Sequence, residues 1–300
     1  MSSIRCIDLL KHAQDNSYAV GYFEAWNLES LLAVVRAAEV ARSPVMIGFC
    51  GEYLASPQRR FKEDVNLYGS LARKIAQDAS VPVATLLNES IEMNVAYQGI
   101  KAGFDMVMFV DEQMAVGELT AKTRRLVEYA HACGVAVEGE VGSLGIADQA
   151  TGEKKSGHST DPVIAASFVA QTGIDALAVS IGNVHFLEGS KVKLDFELLE
   201  EVHKKIPIPM VLHGGTGVDK ADFRPSIERG IAKVNVGAGL KRVVIEDVRQ
   251  YFAESDITRM NPNDILGRGG MPDIMMRSQA VLIEEVIGFI KAFGGENKAS

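Results

Sequence analysis

The stretch Pro209-Met210-Val211-Leu212-His213-Gly214-Gly215-Thr216-Gly217 joins a short apolar run to a histidine and three glycines spread over four positions. Four flexible or branched apolar residues bounded by glycine read as a fully buried strand, and the glycines let the backbone turn tightly and leave its N–H groups uncovered. Such a turn can hold an anion. His213 stands where the strand stops and the loop starts, so its imidazole faces whatever the loop binds, as a metal ligand or a catalytic group. A core histidine followed by a plain turn is the other reading, and this stretch alone leaves both open.

Seven further segments of the same kind surround it: Tyr18 to Glu24, Pro44 to Cys50, Pro82 to Asn88, Met106 to Asp111, Val135 to Val141, Ala176 to Gly182 and Val234 to Gly237, with Pro209 to Gly214 seventh in order. Each reads as a buried parallel strand. Segments of helical spacing lie between them, among them Leu28 to Ala41, Leu67 to Ala79, Leu119 to Cys133, Asp161 to Gln171, Asp195 to Lys205 and Ala221 to Arg229. Gly103, Gly134, Gly173 and Gly230 stand just past helical stretches, where a left-handed capping residue belongs. Pro44, Pro82 and Pro209 open strands, where a missing N–H costs little. Eight strand-helix units in series predict a (β/α)8 TIM barrel spanning residues 1–300 as a single domain. Two additions stand outside the eight: a helix Ile4 to Gln14 capped by Ser3, whose apolar stripe would close one end of the barrel, and a C-terminal helix from Ile274 to Phe293.

Composition narrows the partners. At 47% hydrophobic residues the chain can bury a sizeable core, and a formal net charge of −8 without a Lys/Arg stripe argues against a nucleic acid or an anionic membrane as partner. Cys6, Cys50 and Cys133 are too few and too unpatterned for a disulfide framework, which points to a reducing compartment. Charges at Arg5, Asp8, Lys11 and Asp15 interrupt the first residues as no signal peptide would, and no run reaches membrane-spanning length. A cytoplasmic location is the expectation.

The barrel makes a sharp claim about chemistry, because active sites in this fold sit at the C-terminal ends of the strands. Those ends carry Glu24, Cys50, Asn88 with Glu89, Asp111, Glu138 with Glu140, Asn183 with His185, His213 and Asn235. Taken singly, Asp111 or Asn183 reads equally as a turn former. Taken together, apolar strands that repeatedly finish in acids, amides and histidines mark a functional rim.

Ala176-Leu177-Ala178-Val179-Ser180-Ile181-Gly182-Asn183-Val184-His185, Val211 to Val218 and Ala232-Lys233-Val234-Asn235-Val236-Gly237 resemble motifs of the class II, metal-dependent ketose-bisphosphate aldolases. Val137 to Gly142, Val107 to Asp111 and the first strand and helix extend the similarity over nearly the whole chain. The resemblance implies a divalent ion that polarises the ketose carbonyl and stabilises the enediolate formed when the C3–C4 bond breaks. It places His185 and His213 among three metal ligands, and Asp111 and Glu140 near an alternative metal position. The third strand departs from the family's His-Leu-Asp-His: here Leu86-Leu87-Asn88-Glu89 puts an amide at the catalytic Asp position and a carboxylate at the first ligand position. An amide cannot exchange a proton near neutral pH. The resemblance implies zinc first; a set of two histidines and one carboxylate can bind it but moves preference toward harder ions such as manganese or iron(II), with cobalt a further alternative.

The same resemblance makes Gly214, Gly215, Thr216, Asn235 and Gly237 the phosphate-binding residues, and likens Arg277 to an arginine that reaches a neighbouring subunit's site; a plain surface arginine is the alternative. Glu24 replaces a frequent Asn, Phe186 follows His185 where Gly is usual, and Ala238-Gly239 replaces a Thr-acid pair. The loop Ser143 to Thr160 has the length and glycines of a lid, with Asp148 nearest the family's catalytic Glu. With Asn88 in the Asp position, Glu24 or Asp148 would take over proton transfer. His12, His131, His158 and His203 fall away from the rim and read as structural.

The expected function is a metal-dependent aldolase-like lyase acting on a small phosphorylated ketose or related sugar acid. A metal-dependent epimerase or isomerase and a non-catalytic ligand-binding paralogue stay open as alternatives. The resemblance and the stripe through Leu282, Ile283, Val286, Phe289 and Ile290 suggest a homodimer or larger, unless that stripe packs on its own barrel.

Overall fold

The structure is a computed structural model and describes residues 5–147, 154–155, 157–185 and 192–299. Eight strands, β1 (Val20–Glu24), β2 (Val45–Cys50), β3 (Val83–Ser90), β4 (Met106–Phe109), β5 (Ala136–Glu140), β6 (Ala176–Val179), β7 (Met210–Leu212) and β8 (Ile231–Val236), pair in parallel and close β8 onto β1. This is the (β/α)8 barrel that the alternation predicts. Almost every strand residue is buried, because helices cover the outer face and side chains fill the inside.

Two apolar layers result. Val20, Tyr22, Met46, Leu86, Met106 and Val211 fill the barrel interior, and Leu9 and Leu10 of the helix Cys6–Asp15 enter the same cluster. That helix packs on β1, β3 and β8 and so closes the floor, leaving the opposite, C-terminal mouth for chemistry. Its N-terminal flank is Arg5 with no side-chain cap, and Ser3 lies outside the described residues. The second layer lies between strands and helices. The helix Ile274–Ala292 crosses the helix Leu28–Ala41 and brings Phe289 and Phe293 against Phe23. Leu282, Val286, Phe289 and Ile290 are thereby buried within their own chain. The apolar stripe thus packs on its own barrel and lends no support to an oligomer.

Helix ends follow local chemistry. Asn27 and Ser30 form a reciprocal capping box on Leu28–Ala41, Asp161 caps Pro162–Thr172, and Gly103 and Gly173 close their helices in the left-handed conformation. Several strand boundaries shift against the sequence expectation, and two of the shifts bear on the site. β4 stops at Phe109, which leaves Asp111 in a loop, and β8 starts at Ile231, which places Lys233 inside the barrel wall. No described helix is long and apolar enough to cross a membrane.

Candidate active site

Along β3, alternation turns Ala84 and Leu86 into the interior and would turn Glu89 outward toward the helices. The backbone breaks that alternation. Glu89 adopts φ 47°, a left-handed conformation uncommon outside glycine, and the β3–β4 register shifts between Leu87 and Ser90. Both Asn88 and Glu89 therefore face the barrel mouth, where they line a cavity of about 420 Å³ with Tyr22, Glu140, His213 and Asn235. Non-glycine residues held left-handed concentrate at functional positions.

His213 is the hub of this cavity. It is 1% exposed, and its Nε2 lies 2.9 Å from Glu138 Oε1 while its Nδ1 lies 3.0 Å from Glu89 Oε1 and 3.9 Å from Glu140 Oε2. Behind Glu138, Lys233 Nζ stands 2.7 Å from its second oxygen and donates to Asn235 Oδ1 at 2.8 Å, beneath the ring of Tyr22. Glu138 and Lys233 are both fully buried, so each neutralises the other where water cannot. The chain Lys233–Glu138–His213 thus fixes the imidazole orientation and aims Nδ1 at two carboxylates.

The charges respond to this crowding. Burial disfavours an imidazolium at His213, but its hydrogen bonds to Glu138 and Glu89, and their negative charges, outweigh it and push its pKa up to about 10. Burial raises Glu140 to about 8 against the pull of His213. Burial also pushes Glu138 up, yet Lys233 and His213 together hold it below the usual carboxylate range. Five glutamates, Glu24, Glu52, Glu89, Glu112 and Glu140, line the cavity against Lys241 and His213. Glu24 is ion-paired with Lys241, and burial raises its pKa more than Lys241 lowers it. Glu24, Cys50 and Glu89 also bring one donor atom each within 4.8 Å of one another.

The far side of the cavity is backbone. Gly214 has φ 67°, and a Cβ there would lie 2.3 Å from the Val184 carbonyl oxygen, so glycine is required on two counts. Gly215–Gly217 forms one 3₁₀ turn, and Gly239 N–H donates to Thr216 Oγ1 at 3.1 Å. Gly214, Thr216, Asn235 and Gly237 line the cavity. Gly215 does not; it lies against β8, where a Cβ would meet Val234 at 2.7 Å. Asn88 Oδ1 and Asn235 Nδ2 are buried and find no hydrogen-bond partner among the described residues.

The structure thus brings Glu24, Asn88, Glu89, Glu140, His213, Gly214 and Thr216 to one cavity. Asp111, like Gly215, stays out of it. Its carboxylate accepts from Gln113 N–H at 3.0 Å in a local turn, and its neighbours Val110 and Glu112 line the cavity instead. Within its own chain Arg277 lies outside the cavity: its guanidinium pairs with Asp247 at 2.7 and 3.1 Å and stacks on Tyr251. His185 ends the two-residue strand Val184–His185, with its side chain outside what is described, and Asp148 and Phe186 lie outside the described residues. His12, His131 and His158 hydrogen-bond Tyr18, Asp175 and Ser143.

Lys233, Lys241 and Tyr22 escape the sequence reading. Lys233 carries a signal even so: a lysine in the middle of the apolar strand Ile231–Val236 has to meet a buried acid.

The family model described as class II fructose-bisphosphate aldolase matches residues 4–298. The fructose-bisphosphate aldolase of Geobacillus stearothermophilus is 34% identical over 301 residues, covering 100% of both chains. The sulfofructosephosphate aldolase of Alkalicoccus urumqiensis is 31% identical over 298 residues, 97% of this chain and 96% of that protein. Among solved structures, the YdjI aldolase of Escherichia coli K12 superposes with a TM-score of 0.80 at 28% identity, covering 98% of each chain.

Proposed function

Because the chain belongs to the class II fructose-bisphosphate aldolase family, we propose that it is a divalent-metal-dependent aldolase-type lyase that breaks or forms a C–C bond in a phosphorylated ketose or related sugar acid. The observation that carries the reading is the His213 environment. One nitrogen is locked by a buried carboxylate with a lysine behind it, and the other faces Glu89 and Glu140. That is the way proteins present a ligating imidazole, with a carboxylate on the opposite nitrogen fixing its tautomer. Two atoms bonded to one ion at about 2.0–2.2 Å sit roughly 3–3.5 Å apart, and the 3.0 Å between His213 Nδ1 and Glu89 Oε1 fits that spacing. His213, Glu89 and Glu140, with His185, would hold the ion, zinc first and manganese, iron(II) or cobalt as alternatives. When bound, the ion polarises the substrate carbonyl and stabilises the enediolate charge.

The chain's own residues do the rest. Thr216, Asn235 and the N–H groups around Gly214 and Gly237 hold the phosphate. Asn88 offers its buried Oδ1 as an acceptor for a substrate hydroxyl and orients it without exchanging a proton. Glu24, which lies near Glu89 and has Oε2 beside Gly237, is the described carboxylate placed to take that proton; Asp148 is the alternative. The named relatives include one for a sulfonated sugar phosphate, so the substrate panel extends beyond fructose 1,6-bisphosphate.

The test is purified protein loaded with zinc, manganese or cobalt and assayed against ketose mono- and bisphosphates, a sulfonated ketose phosphate and sugar-acid phosphates. Release of dihydroxyacetone phosphate or another carbonyl fragment is expected; no bound metal and no cleavage across the panel overturns the assignment. The amide at Asn88 favours one second reading, epimerisation or isomerisation through the same enediolate. Deuterium exchange at the substrate carbon without cleavage would identify it.

A further inference from the structure

Glu24 lies against the backbone that would hold the phosphate. A Cβ on Gly237 would sit 3.4 Å from Glu24 Oε2, so no side chain separates the two. A phosphate dianion in that cradle would face a buried carboxylate, and like charges with little water between them repel strongly. The cation beside them is Lys241, in the first turn of the helix Ala238–Glu254.

We propose that Lys241 is the specificity-determining residue that admits a phosphate monoester to the cradle beside Glu24. The inference rests on the reading of the Gly214–Thr216 turn as the anion cradle. Lys241 Nζ pairs with Glu24 Oε1 and stands 4.7 Å from the centre of the Tyr53 ring, so the ammonium is held at the cavity wall from two sides. It is also the more accessible partner, with 30% of its side chain exposed against 10% for Glu24. An ammonium has three N–H donors, enough to keep Glu24 and bond a phosphate oxygen at once. The remaining groups suit the same anion. Asn235 Nδ2 is a buried donor that meets no acceptor among the described residues. Thr216 Oγ1 accepts from Gly239 N–H and so keeps its own proton to donate. Gly237 caps the helix with no side chain over its first N–H groups.

Lys241 therefore matters because Glu24 is there, and the two substitutions must not add. The test is calorimetric titration of inorganic phosphate into the metal-loaded protein at fixed pH and ionic strength, for wild type, K241M, E24Q, the double variant and K241R. K241M leaves Glu24 uncompensated against the anion, and binding weakens at least about 30-fold. E24Q binds as tightly as wild type or tighter. The double variant returns to within about 3-fold of wild type, and K241R keeps most of the affinity. Equal melting temperatures for K241M and wild type show that the loss is not unfolding. Wild type that binds no phosphate overturns the cradle itself and this inference with it. Wild type that binds, with K241M within about 3-fold of it or with a double variant as weak as K241M, overturns the role of Lys241 alone.

Discussion

Replacing Lys233 by methionine removes the cation from a pair in which both side chains are fully buried, 2.7 Å apart. Glu138 would keep only its bond to His213, and Asn235 would lose the donor on its Oδ1. Breaking a buried pair from one side costs about 3–5 kcal/mol, because the remaining charge is left without compensation. Unfolding entropy for a chain of this length is about 0.6 kcal/mol/K, so K233M is expected to melt about 5–8 °C below wild type. The assay is thermal unfolding of the metal-free protein followed by circular dichroism. Adding E138Q removes the stranded charge while an amide can still reach His213, and the double variant should regain about 2–5 °C over K233M. A K233M midpoint within about 2 °C of wild type, or a double variant that loses the sum of both single effects, would refute a stabilising ion pair at the base of the site.

Two further outcomes concern charge and metal. His213 has its pKa raised from 6.5 to about 10, so its stabilising contribution is complete below pH 6.5 and disappears as pH rises through 10. Glu140 is raised from 4.5 to about 8, and its neutral form is the one the fold accommodates, so its contribution fades between pH 4.5 and 8 and overlaps the lower part of the His213 window. Both act in one direction: metal-free protein should lose thermal stability steadily from about pH 6.5 to pH 10, and a flat or rising profile would contradict the burial described. A divalent ion must displace these protons, so stabilisation by saturating zinc should grow over the same range. Glu89→Ala should weaken zinc binding by at least about 100-fold and Glu138→Gln by about 10–100-fold, measured by competition with a chromogenic chelator; affinities equal to wild type would remove Glu89 and Glu138 from the metal environment.

The barrel was legible because its strands are short, apolar and punctuated by glycine and proline, and because helices cover every strand. The helix Ala238–Glu254, eighth of the series, carries Leu240, Val243, Val244, Val248, Tyr251 and Phe252 at helical spacing, although Leu240 is its one fully buried residue. At the rim, the joint pattern of acids and imidazoles at the strand ends pointed to His213, Glu140 and Glu24, which share one cavity, whereas each residue alone kept a structural reading. Direction was harder. Strict alternation sends Glu89 away from the cavity, and the left-handed kink that reverses it has no glycine to announce it. Asp111 shows the converse error, a strand-end acid spent on its own turn. Lys233 and Lys241 were invisible as site residues because their partners, Glu138 and Glu24, lie 95 and 217 positions away in the chain.

The most direct test of the metal reading is the zinc K-edge absorption spectrum of the zinc-loaded wild-type protein. A first shell of nitrogen and oxygen at about 2.0–2.2 Å with imidazole scattering is the predicted result. Glu24, Cys50 and Glu89 form the competing donor set, and a sulfur shell at about 2.3 Å without imidazole scattering would place the ion there, contradicting ligation by His213 and Glu140.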